Sequence, residues 1–203
     1  MKKFAVMVLV LIAIASNALA QDNITAITYQ VSQPLGDFEK FIGETSWIGW
    51  GLEGRRYRSP TSKLTFGFAF AWNVFDEKTN ETQVFDSGAV TGTQRRYVNS
   101  LPFLLTTDFY FNRKNSIKPF IGIGAGAYYI VQRLDIGVWK FEETNWHFGF
   151  APEAGLQFPL GEIEGIFSLK YHYALKSGES VGGGEGQEYQ YLSVSIGLAY
   201  ARW

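Results

Sequence analysis

The chain has 203 residues, no Cys, six Pro, 22 Gly and 17% aromatic residues, with a formal net charge of −1. That length predicts one domain, and the composition excludes a disordered chain, a disulfide-stapled scaffold and a basic nucleic-acid binder. No stretch beyond residue 20 runs to 18 apolar residues, so no transmembrane helix is expected in the body.

Residues 1–20 read as a secretory signal peptide. Met1-Lys2-Lys3 is a positive n-region, the segment from Phe4 to Ala15 is an apolar h-region, and Ala18-Leu19-Ala20 is a small-x-small cleavage site. The new N-terminus would be Gln21 rather than Cys, which argues against lipid attachment. Without Lys2 and Lys3, residues 21–203 carry 16 basic and 19 acidic side chains.

Eight segments with period two follow. Ile27, Tyr29 and Val31 share one face, as do Ile48, Trp50 and Leu52. The third is the clearest: Leu64, Phe66, Phe68, Phe70, Trp72 and Val74 alternate with Thr65, Gly67, Ala69, Ala71 and Asn73. Leu101 to Phe111, Ile121 to Val131, Trp146 to Phe158, Phe167 to Tyr173 and Leu192 to Tyr200 repeat the pattern. This is strand periodicity. The polar connections at residues 33–45, 76–96, 134–145 and 177–188 are longer than those at 59–62, 112–116 and 160–162. Strict alternation of long and short links predicts an antiparallel meander facing two compartments in turn.

The two faces differ in a way that decides which one is outside. A soluble barrel shows charged residues to water and keeps large apolar ones within. Here the face opposite the aromatics is Gly, Ala, Thr and Ser, as at Gly49, Gly51, Gly67, Ala69, Gly122, Gly124 and Gly126. Small residues suit a narrow interior, so the large apolar face points outward, into lipid. The third segment would stand about 25 Å tall at a tilt near 40°, the height of a lipid-facing band. The expected fold is all-β: an eight-stranded antiparallel up-and-down transmembrane barrel over residues 21–203. Interfacial aromatic girdles are expected at Trp47, Tyr97, Tyr129, Trp146, Tyr173 and Tyr189 on the loop side, and at Tyr57, Tyr110, Phe120 and Phe158 on the turn side.

With these segments the chain resembles the bacterial outer-membrane β-barrel domain family, eight-stranded proteins similar to outer membrane proteins A, X and W. The resemblance is carried by Gly51-Leu52-Glu53-Gly54-Arg55-Arg56-Tyr57, Trp72-Asn73-Val74-Phe75 and Leu101-Pro102-Phe103-Leu104-Leu105. It continues through Lys118-Pro119-Phe120-Ile121-Gly122-Ile123-Gly124-Ala125-Gly126 and Phe150-Ala151-Pro152-Glu153-Ala154-Gly155. It implies residence in the bacterial outer membrane. It also implies that the terminal aromatic, Trp203, is the signal read by the barrel-assembly machinery. Trp203 falls out of phase with the even-numbered apolar face of the last segment, which a terminal bulge would accommodate.

Few residues suggest chemistry. Gly122-Ile123-Gly124-Ala125-Gly126-Ala127 fits a dinucleotide-binding pattern, but that pattern needs a following helix, and here glycine at every second position continues a strand. His147 and His172 could each serve as a general base. Some outer-membrane barrels, a lipid A deacylase and a palmitoyltransferase, pair His with Ser, and neither histidine has a serine two residues away. Without Cys and with two separated His, no soft-metal site and no cofactor is expected. The acidic run Asp76-Glu77 with Asn80-Glu81 reads as a solvated loop. The informative polar residues are those that phase turns inward: Glu53, Arg55, Asp108, Glu153, Lys170 and His172. Buried charges must be paired or solvated, so a network that plugs the lumen is expected, with a polar path for small solutes as its rival. The sequence therefore predicts a non-catalytic, monomeric barrel with a structural or surface-interaction role in the envelope. A narrow conduit for small solutes, hydrophobic ones included, is the alternative, and a lipid-modifying enzyme the third reading. Partners would be outer-membrane lipid and, during insertion, the assembly machinery; no nucleic acid is expected.

Overall fold

The protein was analysed as a computed structural model, which describes residues 23–79, 82–85, 88–91, 94–113, 116–181 and 184–202. The elements in chain order are β1 (Asn23–Leu35), α1 (Asp37–Phe41), β2 (Ile48–Tyr57), β3 (Leu64–Thr79), β4 (Thr82–Phe85) and β5 (Gly88–Thr91). They continue with β6 (Gln94–Tyr110), β7 (Lys118–Ile136), β8 (Trp139–Leu160), β9 (Ile163–Ala174), β10 (Glu179–Ser180), β11 (Gly184–Glu185) and β12 (Tyr189–Arg202). Eight of the strands close into a barrel in the order β1-β12-β9-β8-β7-β6-β3-β2. Every neighbour pair is antiparallel, and β1 closes the ring by pairing with both β2 and β12. Closure leaves no sheet edge within the wall, the condition for a β-structure in hydrocarbon. No helix among the described residues is long and apolar enough to cross a membrane.

Side-chain phase follows the alternation. Phe68 is 58% exposed and Leu105 76% exposed on the outer surface. The residues between them in phase, such as Ala69, Ala71 and Leu104, are buried inside. On the outside near the loop end stand Trp47 and Trp146, with Tyr97, Tyr129 and Tyr173 half-buried beside them.

Four girdle assignments are corrected. Tyr57, Tyr110, Phe120 and Tyr189 are buried in the lumen rather than placed at the lipid interface. They share the phase of inward residues: Tyr57 follows Glu53 and Arg55 by twos, Tyr110 follows Asp108, and Phe120 precedes Gly122.

The long connections are also more ordered than loops. Residues 134–145 form a hairpin in which Ile136 pairs with Trp139 across the two-residue turn Gly137-Val138. Gly137 has φ 58°, as the first central position of a type II′ turn requires, and Gly161 at φ 75° does the same between Leu160 and Ile163. Strands β3 and β6 run on to Thr79 and Gln94, enclosing the hairpin β4–β5. Residues 33–45 include α1, whose Phe38 is buried at the loop-end mouth, edge-on to Phe75 at 4.9 Å and to Tyr189 at 5.1 Å.

Two prolines interrupt the ladder. Between β3 and β6 the pairing stops at Phe70–Phe103 and resumes at Asn73–Ser100, leaving Pro102 without a partner residue on β3. Between β8 and β9 it stops at Phe150–Tyr173 and resumes at Glu153–Lys170, beside Pro152. Tyr110 donates its N–H to Lys63 O on the β3 side, so even-numbered residues of β6 turn their amides toward β3. Pro102 is even-numbered and has no N–H to give.

Candidate functional site: the charged lumen

The charged residues that phase predicts to face inward come from four strands. The ladder aligns Asp108 with Gly122, Gly122 with Glu153, and Glu153 with Lys170, one row crossing β6, β7, β8 and β9. A Cβ at Gly122 would lie 2.0 Å from Asp108 Oδ1, so the bare glycine is what admits that carboxylate to the row. Glu53 and Arg55 enter from β2, on the far side of the ring.

Arg55 is the hub. Its Nη2 donates to Glu53 Oε2 at 2.6 Å and to Glu153 Oε1 at 3.1 Å, and its Nε lies 3.5 Å from Asp108 Oδ2. Lys170 Nζ donates to Glu53 Oε1 at 2.8 Å and stands 3.4 Å from Glu153 Oε2. Three carboxylates and two cations thus form one network, and all five side chains are buried. Both Glu53 and Glu153 bridge the two cations, which satisfies each charge from several directions. Such a cluster withstands a low-dielectric setting only while complete, because removal of one member leaves a buried charge unpaired.

His172 lies two residues beyond Lys170 along β9 and takes no part in the ion pairs. Its Nδ1 meets the Tyr128 hydroxyl at 3.1 Å, and its ring stacks on Tyr191 at 4.4 Å. His147 donates from Nδ1 to Leu175 O at 2.9 Å and packs against Tyr189. Both histidines are thus held as core side chains by aromatic neighbours. Among the described residues no group of three or more His, Cys, Asp and Glu could hold a metal ion.

Aromatic layers cover the cluster on both sides. Toward the turns, Arg55 Nη1 donates to Tyr110 Oη at 3.1 Å and its guanidinium lies 4.4 Å above the Phe120 ring. Below these, Lys118 Nζ donates to Glu164 Oε1 at 2.5 Å, a second buried pair that sequence reasoning missed. Its signal was available: Lys118 has the phase of Phe120 and Gly122, and Glu164 that of Lys170. Toward the loops come Tyr128 and Tyr191, then Phe38, Phe75 and Tyr189. A cavity beside the cluster, bordered by Gln30, Glu53, Lys170, His172, Phe70 and Pro102, has room for about one water molecule.

Above the band the wall is uneven. Strands β3, β6, β7 and β8 rise as a four-stranded sheet, with Glu77 opposite Arg96, Arg95 opposite Asp135 and Arg133 opposite Glu142. Arg95 holds Asp76 through two hydrogen bonds of 2.8 and 2.5 Å, and Arg133 holds Asp135 likewise. These hydrogen bonds keep the Asp76 and Asp135 carboxyls below the usual carboxylate range.

A closed ring of eight antiparallel strands with an apolar outer band and a charged, filled interior is the architecture of small outer-membrane barrels. Solved structures agree. A major outer membrane protein from Thermus thermophilus superposes with a TM-score of 0.59 at 9% identity, covering 89% of this chain and 99% of that one. The chain has the eight-stranded outer-membrane barrel fold. Neisserial surface protein A matches the barrel with a TM-score of 0.54 at 11% identity, over 89% of this chain and 97% of its own. OprG of Pseudomonas aeruginosa matches at 0.51 and 14% identity, over 90% and 96%. At such identities the likeness is one of fold. No protein-family model and no curated protein sequence matches the chain. The signal peptide expected at residues 1–20 and the terminal signal expected at Trp203 lie outside the described residues.

Proposed function

We propose that this protein is an integral barrel of the bacterial outer membrane that conducts nothing in its resting state and acts through the surface it raises above the bilayer. One observation carries this reading. The ion cluster of Glu53, Arg55, Asp108, Glu153 and Lys170 spans the lumen, with aromatic layers above and below it. An interior filled by side chains is what eight strands permit. The sealed core then serves as a rigid mount for the sheet of β3, β6, β7 and β8, a structural or surface-interaction role rather than transport or catalysis. In this reading the chain is exported by cleavage after Ala20, inserted by the assembly machinery through Trp203, and works as a monomer.

Planar-bilayer recording of the refolded protein tests it. The wild type should give no conductance or rare, brief openings. Lys170→Met removes a partner of both Glu53 and Glu153, so openings should become more frequent and resistance to denaturant should fall. Breaking a buried pair costs about 3–5 kcal/mol, an upper range where lumen water relieves part of it. A steady wild-type channel unchanged by Lys170→Met would overturn the sealed reading in favour of a conduit.

A further inference from the structure

The turn end of the barrel carries a one-sided arc of positive charge. The turn between β2 and β3, residues 58–63, holds Arg58 and Lys63 and no acid. The neighbouring turn between β6 and β7, residues 111–117, has Arg113 and Lys114 in its sequence and again no acid. The two turns are tied together: Arg113 Nη1 donates to Pro60 O at 2.5 Å and to Ser62 O at 3.0 Å, and Lys63 Nζ donates to Phe111 O at 2.9 Å. On the outer surface of β2, Arg56 is exposed, and the ladder sets it opposite Asn23, which in turn pairs with Arg202 of β12. The basic positions Arg56, Arg58, Lys63 and Arg113 therefore follow one side of the rim, from β2 through β3 to β6. The acids Glu162 and Glu164 belong to the opposite side, at the start of β9.

The same side of the rim also carries exposed apolar side chains. Phe109 and Phe111 meet edge to face at 5.5 Å on the outside, and Ile117 is 56% exposed. Apolar side chains interspersed with Arg and Lys heads form the mixture that sits at a headgroup layer. The loop end differs. There acids outnumber bases in residues 134–145 and 177–188.

We infer that this arc, centred on Arg56, Arg58 and Lys63, binds the phosphate headgroups of anionic phospholipid in the leaflet at the turn end. Charge complementarity selects the occupant. A row of cations at headgroup height, with no acid in the two turns it occupies, attracts negatively charged lipid over zwitterionic lipid. The arc then fixes the depth of the barrel on that side. This inference rests on the membrane reading above.

The test uses the full protein refolded into phosphatidylcholine vesicles with a minor fraction of phosphatidylglycerol. Spin-labelled versions of each lipid report how much of it is immobilised at the protein surface. Phosphatidylglycerol should be preferred about fivefold, the factor that one Lys or Arg near an anionic surface supplies. Sodium chloride should weaken the preference by screening. The triple variant Arg56→Gln, Arg58→Gln, Lys63→Gln should lose it, whereas Lys78→Gln with Lys140→Gln at the loop end should keep it. Should the triple variant fail to fold, Arg58→Gln with Lys63→Gln alone should still lower it. Equal immobilisation of the two lipids by the folded wild type overturns the inference, as does full preference in the substituted protein. Displacement by inorganic phosphate beyond that of sodium chloride at equal ionic strength would make the arc a phosphate site and overturn it as a lipid surface. Failure to insert into any vesicle, seen as loss of the heat-modifiable band on electrophoresis, would instead count against the membrane reading itself.

Discussion

Gly122 controls how near the Asp108 carboxylate can approach the wall of β7. An added methyl group would meet Asp108 Oδ1 at 2.0 Å and Thr107 O at 2.9 Å. Gly122→Ala should therefore push the carboxylate off its row, away from Arg55, at a cost of about 1–3 kcal/mol for overpacking. Equilibrium unfolding of the refolded protein measures it, and the cost should shrink in an Asp108→Ala background, because the obstructed group is gone. Undiminished cost in that background would mean the methyl clashes with backbone alone. The same scale explains which residues were legible. Parity sets the inward group Glu53, Arg55, Asp108, Glu153, Lys170 and His172, but contact does not follow from parity. His172 shares the phase of Lys170 and yet stacks on Tyr191 outside the ion pairs. Tyr57, Tyr110 and Phe120 were misread because nearness to a strand end outweighed phase; their inward parity was written in the alternation all along.

Among the elements, the outer face of β3 is the simplest to test. Phe68 sits in the middle of its apolar band, so Phe68→Arg should cost about 2–4 kcal/mol near the bilayer midplane. Val138→Arg, at a tip that is 94% exposed beyond the band, should stay within about 0.5 kcal/mol. Equal losses in urea titrations of the two would contradict the assignment of faces. Strand β6 offers a gain instead of a loss. Pro102 leaves the ladder toward Ala71 unmade, and Pro102→Ala supplies an N–H aimed at β3. That hydrogen bond should add about 0.5–1.5 kcal/mol, give a protected amide at position 102 and slow amide exchange at its neighbours. The extents of β3, β6, β7 and β8 were less legible than their existence. Once a strand leaves the bilayer both its faces can be wet, so Lys140, Glu142 and Glu143 read as loop although they continue β8 to its turn. Gly137, between the alternating stretches that end at Ile136 and begin at Trp139, was the signal for a hairpin there.

At the scale of the whole molecule, the two ends of the barrel differ in length, order and charge. Strand β7 runs seven residues past Tyr129 to Ile136, which at about 2.5 Å of height per residue lifts the hairpin tip roughly 17 Å above the loop-end girdle. The turn end has no counterpart: Arg58 N donates to Leu64 O at 3.0 Å and closes β2–β3 within a few residues of the band. A long polar sheet costs far more to draw through hydrocarbon than a short turn, so one orientation, with the bulky sheet on one side, holds throughout the population. In the outer-membrane reading that side is the cell exterior. Single cysteines in this Cys-free chain can report it directly, since no native thiol competes. Val138→Cys stands at the tip of the raised sheet, and Thr61→Cys is exposed in the opposite turn. A membrane-impermeant maleimide added to intact cells should label the first and leave the second unmodified until the outer membrane is permeabilised. Labelling of both in intact cells, or of Thr61→Cys alone, would reverse or remove this orientation, whereas both sites should react equally in detergent because both are open to solvent.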